Sequence, residues 1–350
     1  MPDYIVSRIL PGDTLRNRQM VLLLNQEGIR PDANLDYSCG LFDENEELVA
    51  TGSCFGNTLR CLAVDCRHQG EGLMNRIVTH LVEVQFDRGN THLFLYTKTA
   101  SSRFFQALGF YEVARTQNQL VFMENKKHGF TDYLGKLAAG QEAGPGQKVA
   151  ALVMNANPFT LGHLYLVEQA AAENDLLHLF LVSEDVSLFP FAIRKRLITE
   201  GTAHLPNLRY HESGSYIISN TTFPSYFQKD AAAAIESHAL LDLAVFVKIA
   251  GALGITRRYV GEEPYSQVTG IYNRIMEAEL PGAGIQCIII PRLQHDGISI
   301  SASSVRRAIQ NNQMELLPSL IPASTLNYLL RSEAIPVIDK IRASKDVVHY

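Results

Sequence analysis

The sequence lacks the cysteine pattern of a disulfide-stapled or a zinc-binding protein. It has only five cysteines, an odd number, and no two of them form a C-x-x-C pair. Structural zinc sites usually take closely paired cysteines, and disulfide scaffolds take an even set. The composition therefore argues against both kinds of cross-link. The cysteines are Cys39, Cys54, Cys61, Cys66 and Cys287.

The chain also lacks a long hydrophobic run, a secretion signal and a basic stripe. Its 350 residues are 46% hydrophobic and 19% charged, and no apolar stretch approaches membrane-spanning length. The N-terminus, MPDYIVSRIL, has no charged-then-apolar layout. A net charge of −5 does not favour contact with nucleic-acid phosphates. These features predict an ordinary soluble, cytoplasmic protein that binds neither nucleic acid nor membrane.

What the sequence does contain is a strand, a turn and a helix start at residues 149–167, VAALVMNANPFTLGHLYLV. Residues 149–154 are uninterruptedly apolar, as expected of a parallel strand covered on both faces. The tetrad Thr160-Leu161-Gly162-His163 then opens an amphipathic helix. Free amides and the positive end of the helix dipole attract an anion there. Gly162 lets a phosphate come close, and Thr160 and His163 offer a hydroxyl and an imidazole.

A second phosphate-type motif, ISASSVR, occupies residues 300–306, where a final helix should begin. Ser301 or Ser303 can cap that helix, and Arg306, one turn further, can neutralise pyrophosphate. In this order the two motifs resemble the T/H-x-G-H and I-S-S-T-x-x-R signatures of the nucleotidylyltransferase superfamily. The alternatives are structural: a packed or solvated histidine at a helix start, and an ordinary serine cap.

Between these motifs the chain alternates as a doubly wound sheet does. Further strand-like runs, separated by helical stretches, lie at residues 177–182, 208–211, 257–261 and 286–290. Residues 230–253 are rich in alanine and leucine at helical spacing. The pattern predicts a five-stranded parallel sheet from residue 149 to about residue 310, with the ligand beside its first strand.

The first third of the chain has a different pattern. Short antiparallel strands are predicted at residues 37–40, 48–53 and 59–64, followed by a helix at 71–86. Before that helix, RHQGEG at residues 67–72 resembles the R/Q-x-x-G-x-G/A motif of GNAT acetyltransferases, whose backbone amides grip the pyrophosphate of coenzyme A. The alternative is that Gly70 and Gly72 only shape a turn.

A later segment, FFQALGFY at residues 104–111, resembles the F-Y-x-x-x-G-F stretch of the same superfamily, with one departure. Where that pattern carries a tyrosine able to protonate a departing thiolate, this chain has Phe105, which has no proton to give. The resemblance therefore implies that Arg67, Gly70 and Gly72 bind a coenzyme-A-like arm, and favours binding over catalysis in this domain.

A GNAT-like motif at residues 67–72 and a separate nucleotidylyltransferase-like pair at residues 160–163 and 300–306 agree with two cores in 350 residues. The predicted fold class is α/β. A GNAT-like mixed α+β domain is expected at residues 1–128, and a doubly wound, Rossmann-like nucleotidylyltransferase domain at residues 148–350. Residues 129–147, rich in charge and glycine, are the predicted linker, with a short helix at 133–139.

Nearly the whole chain resembles the citrate lyase ligase family. The distinctive blocks are SGSYIISNTTFPSYF at residues 213–227 and RYVGEEPYSQVTGIYN at 258–273, which general nucleotidylyltransferases do not share. The resemblance implies an enzyme that activates acetate with ATP and Mg²⁺ as acetyl-adenylate. The acetyl group then passes to the thiol of the coenzyme-A-like prosthetic group on the citrate lyase acyl carrier subunit.

Two other functions stay open from the sequence. An adenylyltransferase acting on phosphopantetheine or a mononucleotide would carry the GNAT-like domain as an accessory. A coenzyme-A-sensing or scaffold protein would bind nucleotide without turnover, although the retained motif residues argue against it.

The resemblance also implies which residues form the adenylation site. Thr160, His163 and Arg306 are the expected catalytic residues, and His163 is an electrostatic stabiliser because acetate has no proton to remove. No protein ligand to a metal is assigned. The expected ATP-binding residues are Asn157, Pro158, Phe159, Gly162, Arg196, Gly261, Glu262, Ser301 and Ser303.

Some of these assignments have structural alternatives. Arg196 is as well explained as a surface arginine beside Arg194 and Lys195. Glu262 and Glu263 follow a strand at its carboxyl edge, where they can hold nucleotide or metal, or cap the next helix.

Overall fold

The computed structural model describes residues 4–32, 34–116, 120–140, 144, 146–183, 187–217, 231–263, 267–295 and 298–344. By their contacts these residues form two compact units. The first lies within Met1–Tyr133 and Asn220–Val245, and the second within Leu134–Ser219 and Phe246–Tyr350. The domain boundaries given above stay a prediction.

The first unit contains a seven-stranded mixed sheet. Its elements are β1 (Ile5–Arg8), α1 (Thr14–Gln26), β2 (Tyr37–Phe42), β3 (Leu48–Phe55), β4 (Thr58–Val64), α2 (Leu73–Asp87), β5 (Phe94–Lys98), α3 (Ser102–Ala107), β6 (Tyr111–Arg115) and β7 (Leu120–Glu124). The strand order is β1-β2-β3-β4-β5-β7-β6, and neighbours are antiparallel except for β4 and β5. The mixed fold expected of a GNAT-like domain is confirmed.

Helix α2 covers this sheet with one apolar face. Leu73, Ile77 and Leu81 are each at most 2% exposed and share a core with the strands. The helix begins at Leu73, later than predicted, because Gly72 has a φ of +75°. That left-handed conformation cannot form part of a right-handed helix.

Strands β4 and β5 are parallel neighbours that pair over a short stretch. Within the described residues their registered pairs are Thr58 with Phe94 and Leu59 with Leu95. The pairing between β3 and β4 shifts register just beyond this point, opposite Cys61, whose φ is +50°. The sheet therefore opens between the carboxyl halves of β4 and β5, on the side where residues 65–72 follow β4.

The chain then alternates strands with helices. The elements are α4 (Gly129–Ala138), β8 (Val149–Met154), α5 (Leu161–Ala172), β9 (Leu176–Leu181), α6 (Phe191–Gly201), β10 (Leu208–Glu212), α7 (Ala231–Leu253), β11 (Arg257–Gly261), α8 (Gln267–Glu279) and β12 (Gln286–Ile290). Five strands pair in parallel in the order β10-β9-β8-β11-β12. The predicted doubly wound sheet is confirmed. None of the described helices combines the length and apolar character needed to cross a membrane.

The sheet order places a switch point at the carboxyl end of β8. From β8 the chain moves outward to β9 and β10, then returns to the other side of β8 with β11 and β12. Loops that leave neighbouring strands in opposite directions create a crevice at such a point. The turn after β8 therefore lies where this fold most readily binds a ligand.

The last part of the chain returns to the core beneath β8. It contains a short ladder of β13 (Gln294–His295) and β14 (Ile298–Ser299), then α9 (Ala302–Gln310), α10 (Ala323–Leu329) and α11 (Ile335–Ala343). Val305, Ile309, Leu329 and Ile341 are each at most 4% exposed and pack in the same core as β8 and α5. This packing brings the start of α9 towards the start of α5.

The predicted linker at residues 129–147 opens with regular structure. Helix α4 begins at Gly129, earlier than the short helix expected at residues 133–139. Glu124 at the end of β7 holds its start, because Oε1 accepts a hydrogen bond from the Phe130 amide at 2.7 Å. The other carboxylate oxygen lies 2.6 Å from His92 Nε2.

Candidate active site

The turn after β8 places Thr160 and His163 in a reciprocal capping box. Thr160 is the N-cap of α5, and its Oγ1 accepts a hydrogen bond from the His163 amide at 3.2 Å. His163 Nδ1 lies 3.2 Å from the Thr160 amide nitrogen and 2.8 Å from Thr160 Oγ1. The imidazole is therefore oriented by the start of its own helix.

This geometry fixes the position of the proton on the His163 ring. A backbone amide can only donate, so Nδ1 accepts from the Thr160 amide and the neutral ring carries its proton on Nε2. Burial, and then the charges of Arg292 and Arg306, lower the pKa of His163 to about 4. At neutral pH the ring is consequently a neutral Nε2–H donor.

Helix α9 carries the second motif. Ser301 is its N-cap and accepts a hydrogen bond from the Ser304 amide at 3.0 Å, whereas Ser303 Oγ lies 3.5 Å from Arg306 Nη2. Arg306 is only 2% exposed, and its Nη1 donates to the carbonyl of Asn157 in the turn after β8. Arg306 thus ties the second motif to the first.

The two motifs meet at Gly162. A Cβ on Gly162 would lie 2.8 Å from the Ile300 carbonyl oxygen, closer than real Cβ contacts. The sequence predicts that the absence of a side chain at Gly162 lets a phosphate approach. In the structure, this absence lets the Ile300 backbone approach. The amides expected to be free are also partly engaged, because Leu161 donates to the Leu320 carbonyl at 2.9 Å and His163 donates to its cap.

Asn157, Pro158 and Phe159, which the sequence predicts to bind ATP, are buried. Asn157 Oδ1 accepts a hydrogen bond from the Phe189 amide at 3.0 Å. The Phe159 ring is fully buried and stacks on the His163 ring, with 6.1 Å between centroids. These side chains support the turn from the core, and their contact with ATP stays a prediction.

The two arginines of α6 have opposite environments. Arg196 forms a surface ion pair with Glu333 at 2.6 Å and lies over the Tyr328 ring. The structure therefore brings it to Glu333 and not to the turn after β8, and its phosphate-binding role stays a prediction. Arg194, which the sequence groups with the surface arginines, is 1% exposed. That interpretation of Arg194 is wrong.

Arg194 clamps the loops that follow β8 and β9. Its Nη1 donates to the Asn155 carbonyl and Oδ1 at 2.9 and 2.8 Å and to the Val182 carbonyl at 2.8 Å. A buried guanidinium is tolerated because such acceptors replace its hydration. The available sequence signal was its spacing from Leu197 and Ile198, which lie on the same buried helix face.

A cation not expected from the sequence lies at the carboxyl ends of β11 and β12. Arg292 donates from Nε to the Glu262 carbonyl at 2.7 Å and from Nη2 to Glu263 Oε2. Its charge is the largest contribution, after burial, to the lowered pKa of His163. Its position two residues after a predicted strand was the only signal in the sequence.

The remaining residues of this edge have mainly backbone roles. The Glu262 side chain is exposed, and its amide donates to the Ile290 carbonyl at 2.8 Å. The Gly261 carbonyl accepts a hydrogen bond from Asn273 Nδ2 at 3.0 Å. Nucleotide binding by Gly261 and Glu262 stays a prediction. Residues 218–230 and 264–266 lie outside the described residues, and they include most of the first distinctive block and three residues of the second.

In the first unit, the predicted pyrophosphate cradle has open space beside it. Gly70 and Gly72 have φ values of +89° and +75°, and a Cβ on either would meet no atom within 4 Å. Both glycines are thus needed for the shape of the turn, and binding by the turn stays a prediction. Arg67 is 71% exposed at its side chain and pairs with Asp65 at 2.7 Å.

Comparison with known proteins identifies the family. Residues 149–329 match the citrate lyase ligase C-terminal domain family, and residues 14–110 match the acetyltransferase (GNAT) family. The chain is 37% identical over 331 residues to the [citrate [pro-3S]-lyase] ligase of Escherichia coli (strain K12), covering 93% of each chain. Identity to the Klebsiella pneumoniae enzyme of the same name is 36% over 333 residues, covering 93% of this chain and 96% of that one. The chain therefore belongs to the citrate lyase ligase family of enzymes.

Proposed function

We propose that the chain activates acetate with ATP as acetyl-adenylate and then acetylates the thiol of the coenzyme-A-like prosthetic group on the citrate lyase acyl carrier subunit. The supporting observation is the junction of the two phosphate-type motifs. There Gly162 lies against the Ile300 backbone, and the positive charges of Arg292 and Arg306 lower the pKa of His163. Membership of the family supports the same reaction.

Acetate needs activation because its own leaving group would be oxide. In the first step an acetate oxygen attacks the α-phosphorus of ATP, the bond to the bridging oxygen breaks, and pyrophosphate leaves. In the second step the thiol sulfur attacks the acetyl carbonyl carbon, the bond from that carbon to the phosphate oxygen breaks, AMP leaves as a stable anion, and the thiol proton passes to water. The first step brings two anions together, so the site must mask negative charge.

Three side chains of this site mask that charge, and Thr160 orients one of them. His163 donates its Nε2–H to the α-phosphate as negative charge develops, and Thr160 holds the ring through Nδ1. Arg292 and Arg306 supply fixed positive charge. Because Arg306 is almost fully buried and holds the Asn157 carbonyl, its charge acts through the electric field and not by contact.

ATP enters this proposal as its Mg²⁺ complex. Among the described residues, no group of three or more His, Cys, Asp or Glu side chains is placed to hold a metal ion. No step of the proposal runs through a magnesium ion held by the protein. The ion belongs to the substrate, where phosphate oxygens and water are its usual ligands.

The GNAT-like unit binds the prosthetic arm in this proposal. Registered pairing between β4 and β5 is described only near their amino ends, and the open turn at Gly70 and Gly72 follows β4. The pantetheine chain lies between the carboxyl halves of the two strands in this proposal. Phe105 is 5% exposed within the core and has no hydroxyl to protonate a thiolate. Acyl transfer is therefore assigned to the adenylate site.

We place the reaction in the cytoplasm. All five cysteines are free thiols, and three of them are buried in the first unit. Unpaired thiols persist in a reducing compartment.

Exchange of labelled pyrophosphate into ATP tests the proposed function. The full-length protein should catalyse exchange with acetate, and not with phosphopantetheine or nicotinamide mononucleotide as the acceptor. A second assay should show acetylation of the carrier thiol with release of AMP. Dinucleotide formation from phosphopantetheine or nicotinamide mononucleotide, without acetate-dependent exchange, would replace the ligase with the adenylyltransferase alternative.

A further inference from the structure

A polar pocket lies on the first unit next to the end of β5. It has a volume of about 480 Å³ and is lined by Thr99, Ala100, Ser102, Arg103, Gln106 and Arg115. Thr99 Oγ1 is buried and has no hydrogen-bond partner among the described residues. Ser102, which is 4% exposed, donates to the Thr99 carbonyl at 2.9 Å and keeps its oxygen as an acceptor. The pocket therefore presents hydroxyls, an amide and two guanidinium groups.

The charge of this pocket opposes that of the whole chain. Arg115 forms a bidentate pair with Glu112, with Nε 2.7 Å from Oε1, and this pair holds its guanidinium at the pocket wall. Arg103 is exposed, and Lys98, the residue before Thr99, is exposed as well. The pocket lining itself contributes two arginines, one of which is paired with Glu112, on a protein whose net charge is −5.

The pocket adjoins the gap proposed for the prosthetic arm. Thr99 directly follows β5, the strand that separates from β4 towards its carboxyl end. Phe104, next to Arg103, is 39% exposed. Arginine and aromatic side chains are enriched where proteins bind each other. A protein that inserts its arm between β4 and β5 would present its own surface to this side of the unit.

Resting on the proposed function, we propose that Arg103 and Arg115 form the docking site for the acyl carrier subunit, whose contacting surface carries carboxylates. Arginine binds carboxylates through two parallel hydrogen bonds, so Arg103 fixes the orientation of the carrier as well as attracting it. Arg115 already uses Nε and Nη2 on Glu112, and it contributes the donors of Nη1. The pocket binds the surface of the carrier protein, and the β4–β5 gap binds the prosthetic arm of the carrier.

The test compares charge variants of the full-length protein. Arg103→Glu and Arg115→Gln are assayed for acetylation of the loaded carrier, for acetylation of dephospho-coenzyme A, and for acetate-dependent pyrophosphate exchange. Arg103→Glu should raise the KM for the carrier about tenfold and Arg115→Gln severalfold, with kcat little changed. Acetylation of dephospho-coenzyme A and pyrophosphate exchange should stay at the wild-type rate. Arg103→Lys, which keeps the charge, should recover most of the affinity.

Arg18→Glu is the matched control, because Arg18 is an exposed arginine on α1. It should leave the KM for the carrier unchanged. Normal KM values for the carrier in both pocket variants refute the docking site while leaving the proposed function intact. Equal losses with carrier and with dephospho-coenzyme A also refute it, because the pocket would then bind the arm. Absence of acetate-dependent exchange in the wild type overturns the proposed function itself.

Discussion

The tautomer and the charge of the His163 ring follow from one hydrogen bond and from the environment of the ring. The Thr160 amide occupies Nδ1, and burial together with two arginine charges keeps the ring neutral. A neutral Nε2–H can stabilise developing charge without the cost of desolvating a cation. The residue therefore needs no protonation step during adenylation.

Removal of that donor should slow adenylation. We expect His163→Ala to lower the rate of acetate-dependent pyrophosphate exchange by roughly two to three orders of magnitude, with a smaller change in ATP affinity. His163→Gln, which can place an amide near the position of Nε2, should recover part of the rate. The control is His204→Ala, since His204 is exposed and pairs with Glu168 on the surface. Near-normal exchange by His163→Ala would return this histidine to a purely structural role.

Arg292 and Arg196 provide a second comparison at the level of single residues. Arg292 acts on His163, whereas Arg196 is bound to Glu333 at the surface. Arg292→Gln should reduce exchange at least about tenfold, and Arg196→Gln should change it by less than about twofold. The reverse order would show that Arg196 leaves Glu333 to bind phosphate.

At the scale of elements, the site depends on the contact between the starts of α5 and α9. Gly162 permits this contact because it has no side chain, and Arg306 stabilises it by donating a hydrogen bond to the carbonyl of Asn157. A side chain between the two helix starts must push them apart, because the atom it meets is backbone. The geometry of both motifs therefore depends on one missing Cβ.

Gly162→Ala tests this contact. We expect a loss of about 1–3 kcal/mol in the free energy of unfolding, and a fall in pyrophosphate exchange as the motifs separate. The matched control is Gly251→Ala in α7, where a Cβ meets no atom within 4 Å. That change should be neutral or stabilise by up to about 1 kcal/mol. Urea unfolding measures the stability of both variants, and pyrophosphate exchange measures their activity. If the two variants unfold with the same free energy, the Ile300 backbone can shift without cost.

The turn between β4 and α2 can be tested with a similar pair of glycines. Gly70→Glu places bulk and negative charge in the proposed cradle. Gly89→Glu places the same side chain on another glycine with positive φ, +81°, and open space. Backbone strain is thus matched, and only Gly70→Glu should abolish carrier acetylation while leaving pyrophosphate exchange intact. Equal behaviour of the two variants in the acetylation assay counts against arm binding at Gly70.

At the scale of the whole molecule, buried histidines link stability to pH. His178 Nδ1 and His211 Nε2 lie 2.8 Å apart between β9 and β10, and the residues are 0% and 6% exposed. Burial is the main cause that lowers the pKa of both rings to about 4. The unfolded chain binds these protons near pH 6.5, whereas the folded chain binds them only near pH 4. The stability contributed by the neutral rings is therefore complete above pH 6.5 and is lost as the pH falls towards 4.

This linkage predicts a marked loss of stability in mild acid. By pH 5 each of the two rings should lower the free energy of unfolding by about 2 kcal/mol relative to pH 7.5. His211→Gln keeps a hydrogen-bonding group near Nε2 but cannot titrate, so its stability should depend less steeply on pH. Urea unfolding at several pH values between 7.5 and 5 measures both slopes. Parallel slopes for the variant and the wild type would contradict the prediction.

The sequence alone was enough to predict the five parallel strands, three strands of the first sheet, the order of the two motifs and the family, whereas β1, β5, β6 and β7 were not predicted. Apolar runs such as residues 149–154 have few alternatives to a covered strand, and a serine three residues before Ser304 is a local capping signal. The capping box of Thr160 and His163 is local as well, since its hydrogen bonds span three residues. Patterns of this kind depend on the neighbouring chain and not on the rest of the molecule.

Which side chains meet depends on how the helices and strands pack. Arg194 and Arg196 are near neighbours on one helix, and the packing of that helix buries the first and leaves the second at the surface. The charge of Arg292 lowers the pKa of His163 because the sheet order places β12 only two strands away from β8. Gly162 lies against the Ile300 backbone because α9 packs into the same core as α5. Burial and close approach depend on distant segments brought together. For Arg194 the spacing from Leu197 and Ile198 was a local signal, whereas no local pattern predicts that Gly162 meets the Ile300 backbone.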